Sequence, residues 1–177
     1  MRYSVIVDGP NFISRLINFG LSNELIATRF SLNHFLIHGI RDYIRNEFGN
    51  PSTLGLEFIY SLKRPGPQGK KLSKDEWKTF IKRSSQENAV YLRKIDIESR
   101  NEKGVDIAVA MRMVEMANIC EVICLVSSDN DYIPALEYLK VRGEYLCTVG
   151  LRDYHPIELI NLSYVFIDIT DYLKKQY

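Results

Sequence analysis

Read for hydrophobic spacing alone, the chain alternates short continuous apolar runs with stretches of helical periodicity. Tyr3 to Val7 reads as a buried strand, followed by a turn at Asp8-Gly9-Pro10 and a helix from about Asn11 to Phe19. A second helix is expected over Leu32 to Phe48, broken off by Gly49-Asn50-Pro51. Leu54 to Ser61 reads as a strand, residues 63–71 as a loop rich in Gly, Pro and basic residues, and Lys74 to Ser84 as a helix. After these come a strand at Ala89 to Ile97, a helix at Val105 to Ala117 and a strand at Val122 to Val126. The pattern ends with a helix at Ile133 to Arg142 closed by Gly143, and strands at Tyr145 to Val149 and Tyr164 to Ile169.

Repeated alternation of strand and helix predicts an α/β fold, a mainly parallel sheet sandwiched by helices. In such sheets ligands bind beyond the carboxyl ends of the strands. A chain of 177 residues suits one well-filled core, so residues 1–177 are expected to form a single domain.

Composition narrows the setting. Asp8 interrupts the first apolar run too early for a signal peptide, and no later stretch reaches transmembrane length. A cytoplasmic protein without a membrane partner is expected. Cys120, Cys124 and Cys147 are odd in number, lie in or beside apolar runs and lack a C-x-x-C spacing, which predicts buried reduced thiols. The net charge of +1 conceals an asymmetry: residues 63–103 hold 12 Lys and Arg against 6 Asp and Glu, and the rest holds 11 against 16. A basic surface suited to phosphates would then stand beside an acidic region suited to a cation.

Four carboxylates focus that idea. Asp8 follows Val5-Ile6-Val7, and Asp129 and Asp131 follow Ile123-Cys124-Leu125-Val126, so all three fall at the carboxyl ends of strands. If the two strands are parallel neighbours, about 4.8 Å apart, their acids can share one ion. Asp106 leads a helix stripe with Ala110, Met113 and Ala117, whereas Glu115 points the opposite way. A charge on that apolar face needs a partner, which a divalent cation would supply. The structural readings stay open: Asp8 as a turn residue, and Asp131 as the cap of the helix containing Pro134.

Three ordered segments carry a resemblance: Val5 to Asn11, Lys103 to Ala110, and Leu125 to Pro134. They resemble the signature blocks of the NYN-domain family, a branch of the PIN-like nucleases. The resemblance implies a PIN-like (Rossmann-like) fold, a site for Mg2+ or Mn2+, and hydrolysis of RNA phosphodiester bonds. By position, Asp8, Asp106, Asp129 and Asp131 inherit the metal role and, with Asn11 in support, the catalytic one. Two departures stand out: relatives commonly read Ser-Gly-Asp where this chain has Ser127-Ser128-Asp129, and often carry a second Asp at the position of Arg112.

Other candidates follow from charge. Lys63, Arg64, Lys70, Lys71 and Lys74, with Lys103 near Asp106, suit an RNA backbone. The segment Arg64 to Lys71 fails as a nucleotide-binding phosphate loop, because Arg64 and Lys71 take its first glycine and hydroxyl positions. Tyr91, Arg93, Lys94 and Arg100 add a second basic and aromatic group, although alternate strand positions must face opposite sides. His34 and His38 share a helix face without an evident third metal ligand, and His155 before Pro156 reads as structural. A phosphatase with Asp8 as nucleophile lacks its usual second acid, since Pro10 stands there. The sequence therefore predicts a metal-dependent endoribonuclease acting on RNA, against an inactive RNA-binding or scaffold protein of the same fold. Whether a second copy or another protein joins it is left open.

Overall fold

The structure, a computed structural model, describes residues 1–62, 71–96 and 103–177, with Lys103 described by its backbone only. The strands are β1 (Arg2–Asp8), β2 (Ser52–Tyr60), β3 (Val90–Lys94), β4 (Val122–Val126), β5 (Tyr145–Gly150) and β6 (Val165–Asp168). The described strands form one sheet in the order β3-β2-β1-β4-β5-β6, each pair parallel. The expectation of a parallel sheet between helices is met. So is the expected neighbourhood of β1 and β4, with Val7 opposite Val126. Sequence order runs outward from β1 in one direction to β3 and then restarts on its other side at β4. The gap between the carboxyl ends of β1 and β4 is thus the switch point where such sheets bind ligands.

Alternate residues explain why Val5, Ile6 and Val7 of β1 and all of β4 are apolar. Val5 and Val7 of β1, and Val122, Cys124 and Val126 of β4, join one core with Phe12, Leu16, Phe35 and Phe58. Ile6, Ile123 and Leu125 enter the other, with Val109, Met113, Leu136, Leu139 and Leu159. Both faces are covered, so a polar group on these strands is costly without a partner. All three cysteines are buried and free.

The helices are α1 (Gly9–Phe19), α2 (Asn23–Thr28), α3 (Leu32–His34), α4 (Asp42–Phe48), α5 (Lys74–Ser84), α6 (Lys103–Met116), α7 (Ile133–Val141), α8 (Ile157–Leu162) and α9 (Thr170–Gln176). The single helix expected over 32–48 is continuous but widens into π-helical turns over Phe35–Arg41, between α3 and α4. Gly39 belongs to those turns, and a Cβ there would press to 2.8 Å from the Phe35 ring. α2, α8 and α9 were not expected; six or seven residues show too little of a 3.6-residue period to stand out. Helix α5 starts where expected because Ser73 and Glu76 form a reciprocal cap. The strand expected to reach Ile97 ends at Lys94, and Ile97 itself lies outside the described residues. No helix among the described residues is long and apolar enough to cross a membrane.

Candidate metal centre

Asp8 is both the last residue of β1 and the cap of α1, its Oδ1 accepting the Asn11 N–H at 3.3 Å. The chain can turn from strand into helix here because Gly9 has no side chain: a Cβ would lie 2.6 Å from the Phe58 ring and 2.8 Å from the Ile59 carbonyl oxygen. Asp8 shares the strand face of Ile6, which packs with residues of α6. That places its carboxylate toward Asp106 in the first turn of α6. Asp129 stands just beyond β4 and caps the 3-10 turn Asn130–Tyr132, its Oδ1 accepting the Asp131 N–H at 2.9 Å.

Carboxylate oxygens of Asp8, Asp106 and Asp129 all lie within 4.8 Å of one another. This is the convergence that two parallel strand ends and one helix stripe predict. Asp131 differs. It is exposed and stands outside that group, and the hydrogen bond it gives Asp129 comes from its backbone. Nor does Asp131 cap the helix containing Pro134: α7 follows directly on Tyr132, which holds its cap position without a side-chain hydrogen bond.

Neutral groups hold the acids in place. The Tyr132 hydroxyl donates to Asp8 Oδ2 at 2.9 Å and stands 3.4 Å from Asp106 Oδ1. The Ser127 hydroxyl donates to Asp8 Oδ2 at 3.2 Å while its oxygen accepts the Asp129 N–H at 3.3 Å. Asn11 Oδ1 accepts the Ser128 N–H at 3.0 Å, tying α1 to the loop that carries Asp129. Asp8 is only 3% exposed, and this burial lifts its pKa to about 6 against the pull of the Tyr132, Asn11 and Ser127 hydrogen bonds, with the Asp106 charge adding to the rise. Burial, then the charges of Asp8 and Asp106, push the Tyr132 phenol upward, so it stays a donor. Tyr132 and Ser127 were within the sequence blocks without a role assigned to them. Spacing does not separate a phenol that only packs from one that also donates.

The two departures from the family blocks leave this group intact. Arg112 lies six residues, or about 9 Å along the axis, from Asp106. Its Nε donates to Glu57 Oε2 at 2.6 Å and its Nη1 to Glu115 Oε2 at 3.0 Å. Ser128 is buried, with its Oγ 3.4 Å from His155 Nδ1. His155 is buried against Phe166, and burial with the nearby Arg15 charge lowers its pKa to about 4.

Of the expected RNA contacts, Lys63, Arg64 and Lys70 lie outside the described residues, as does the side chain of Lys103. Lys71 and Lys74 are exposed at the entry to α5, where the Lys71 carbonyl accepts from Asn23 of α2. Arg93 pairs with Glu57 and Lys94 with Asp96, so the β3 charges divide between partners. The rings of His34 and His38 stand 4.4 Å apart, with His34 Nδ1 2.9 Å from the Tyr172 hydroxyl. Among the described residues they join no group of three metal-ligating side chains.

Residues 2–170 match the NYN domain. This chain belongs to the NYN-domain family. NYN domains form a family of PIN-like nucleases, and the match spans all three acids of the cluster. A crystal structure of a protein of unknown function from Vibrio parahaemolyticus shares the fold, with a TM-score of 0.65 and 16% identity over 95% of this chain and 92% of that one. No curated protein matches the NYN chain by sequence.

Proposed function

We propose that this NYN domain is a metal-dependent endoribonuclease whose ion is Mg2+ or Mn2+, held by Asp8, Asp106 and Asp129. The observation that carries the reading is the convergence of these three carboxylates within 4.8 Å at the sheet's switch point. The donor set fits: hard carboxylate oxygens suit magnesium and manganese rather than softer metals. Asp8 fits too, since its hydrogen-bond donors are all neutral and its charge is raised in energy by burial. A divalent ion bound there would lower the pKa of a coordinated water and offset charge on the attacked phosphate.

The chain's own residues then act by positioning. Tyr132 and Ser127 hold one Asp8 oxygen, and the Asn11 N–H holds the other, so each Asp8 lone pair left over points in a fixed direction. Asn11 also fixes the loop bearing Asp129. Asp131, exposed and outside the three-acid group, would serve as a base toward water rather than as a ligand. Exposed Lys71 and Lys74, together with Lys63, Arg64, Lys70 and Lys103, supply the charge that attracts RNA. Buried reduced thiols suit the cytoplasm as the place of action.

The test is cleavage of labelled single-stranded and hairpin RNAs with manganese, magnesium or EDTA. Cleavage that requires the metal and is lost in Asp8→Asn supports the reading. RNA binding without cleavage under any metal would overturn it in favour of an inactive binding protein.

A further inference from the structure

Helix α1, which carries Asn11 of the metal centre's frame, also carries an arginine with no ion pair among the described residues. Asn11 and Arg15 are one turn apart on α1, about 6 Å along the axis. Both line a small cleft with Ser127, Ser128, Gly150 and Leu151, at the ends of β4 and β5. Asn11 belongs to the frame of the acids through Asp8 and Ser128. Arg15 makes no ion pair among the described residues, and its Nε is sealed from solvent without a hydrogen-bond partner. Its guanidinium lies 5.8 Å from the centre of the Tyr154 ring. That ring is held to α1 by its hydroxyl, which donates to the Asn18 carbonyl at 3.3 Å, yet the residue remains 39% exposed.

A half-buried guanidinium with an unsatisfied nitrogen is costly as a purely structural element. Beside a group of carboxylates it has a different use. An RNA strand with one phosphate at the acids must place a neighbouring phosphate and base along the same edge of the sheet. A guanidinium matches the phosphate, and an exposed tyrosine ring suits the face of an unstacked base. We infer that Arg15 and Tyr154 form a subsite for one nucleotide flanking the cleaved bond, with Arg15 on its phosphate and Tyr154 under its base. This subsite rests on the ribonuclease reading above. It selects single-stranded RNA, because a base in a duplex has no free face to offer.

The experiment is fluorescence anisotropy with a 5′-fluorescein single-stranded RNA 12-mer in EDTA over a range of salt, paired with manganese-dependent cleavage of the same RNA. Arg15→Gln should weaken binding roughly tenfold and reduce the salt slope by about one. Tyr154→Ala should weaken binding by a similar factor with the slope unchanged. Both should raise KM and leave kcat near the wild-type value. Arg15→Lys, which keeps the charge and guards against misfolding, should retain the slope. Wild-type affinity and slope in Arg15→Gln, or a wild-type chain that binds no RNA, overturns the subsite. Weakened binding by both variants without any metal-dependent cleavage by the wild type would reject the ribonuclease, and with it a subsite beside a cleaved bond, leaving Arg15 and Tyr154 as RNA-binding residues only.

Discussion

Helix α6 carries two charged clusters built on opposite terms. In its first turn Asp106 meets Asp8 and Asp129, carboxylate beside carboxylate, with the Tyr132 phenol between two of them. Six residues further on, Arg112 meets Glu57 and Glu115, and Glu57 is also paired with Arg93 at 3.5 Å. The second cluster satisfies itself: a guanidinium fork faces carboxylates, and its bonds join α6 to β2. The first crowds like charges where burial has already raised Asp8 in energy. A fold that sought stability alone would not gather them, and the proposed ion would give the first cluster the counter-charge that the second already has.

The sharpest test of that contrast is Asp8→Asn. Cleavage should fall by roughly a thousandfold, the several kcal/mol expected when an ion loses a ligand at the reacting phosphate. The metal-free protein should become more stable at pH 7.5, by up to about 3 kcal/mol, because a carboxyl whose pKa rises from 3.8 to about 6 on folding is charged at a cost. The sign follows from linkage. The raised pKa gives wild type a stabilisation that is complete below about pH 4 and is lost as pH rises through about 6. Melting curves of both proteins without metal should therefore separate at pH 7.5 and converge near pH 4. Equal melting at both pH values would break the contrast.

Arg112→Ala tests the other cluster. It leaves Glu57 with a weaker match and should cost roughly 1–3 kcal/mol of stability, lowering the melting temperature by several degrees. Cleavage per folded molecule should hardly change. A loss of cleavage larger than the loss of folded protein would mean that Arg112 acts on the metal centre after all.

Tyr132→Phe keeps the buried ring and removes only the hydroxyl that donates to the acids. Manganese affinity should weaken roughly tenfold, the usual effect of removing a group that orients a ligand. Isothermal titration with manganese chloride would read this directly, and unchanged affinity would reduce Tyr132 to packing.

The smallest effect is expected at Asp131. Since its backbone N–H, not its carboxylate, bonds Asp129, Asp131→Asn should leave the manganese-induced melting shift intact and lower kcat by about tenfold or less. A vanished melting shift would return Asp131 to the metal.

Much of this was legible in the sequence because it depends on local spacing. Val5-Ile6-Val7-Asp8 and Leu125-Val126 require a strand apolar on both faces and an acid at its end, whatever surrounds them. The stripe of Asp106, Met113 and Ala117 likewise follows from 3.6 residues per turn, and Met113 and Ala117 are buried as it demands. What spacing could not separate was Asp129 from Asp131. Both follow β4 within a few residues, and only the 3-10 turn beginning at Asn130 directs one inward and leaves the other at the rim. Arg112 was ambiguous for the same reason: its relation to the acids depends on Glu57, which is 55 residues away in the chain. The contacts that give Tyr132, Ser127 and Arg15 their places are tertiary, with Asp8 brought to the first two and Tyr154 to the third from distant parts of the chain. A period along the chain determines which way a side chain faces. Which group it meets there is decided by elements distant in sequence, through distances of a few ångströms to which that period is blind.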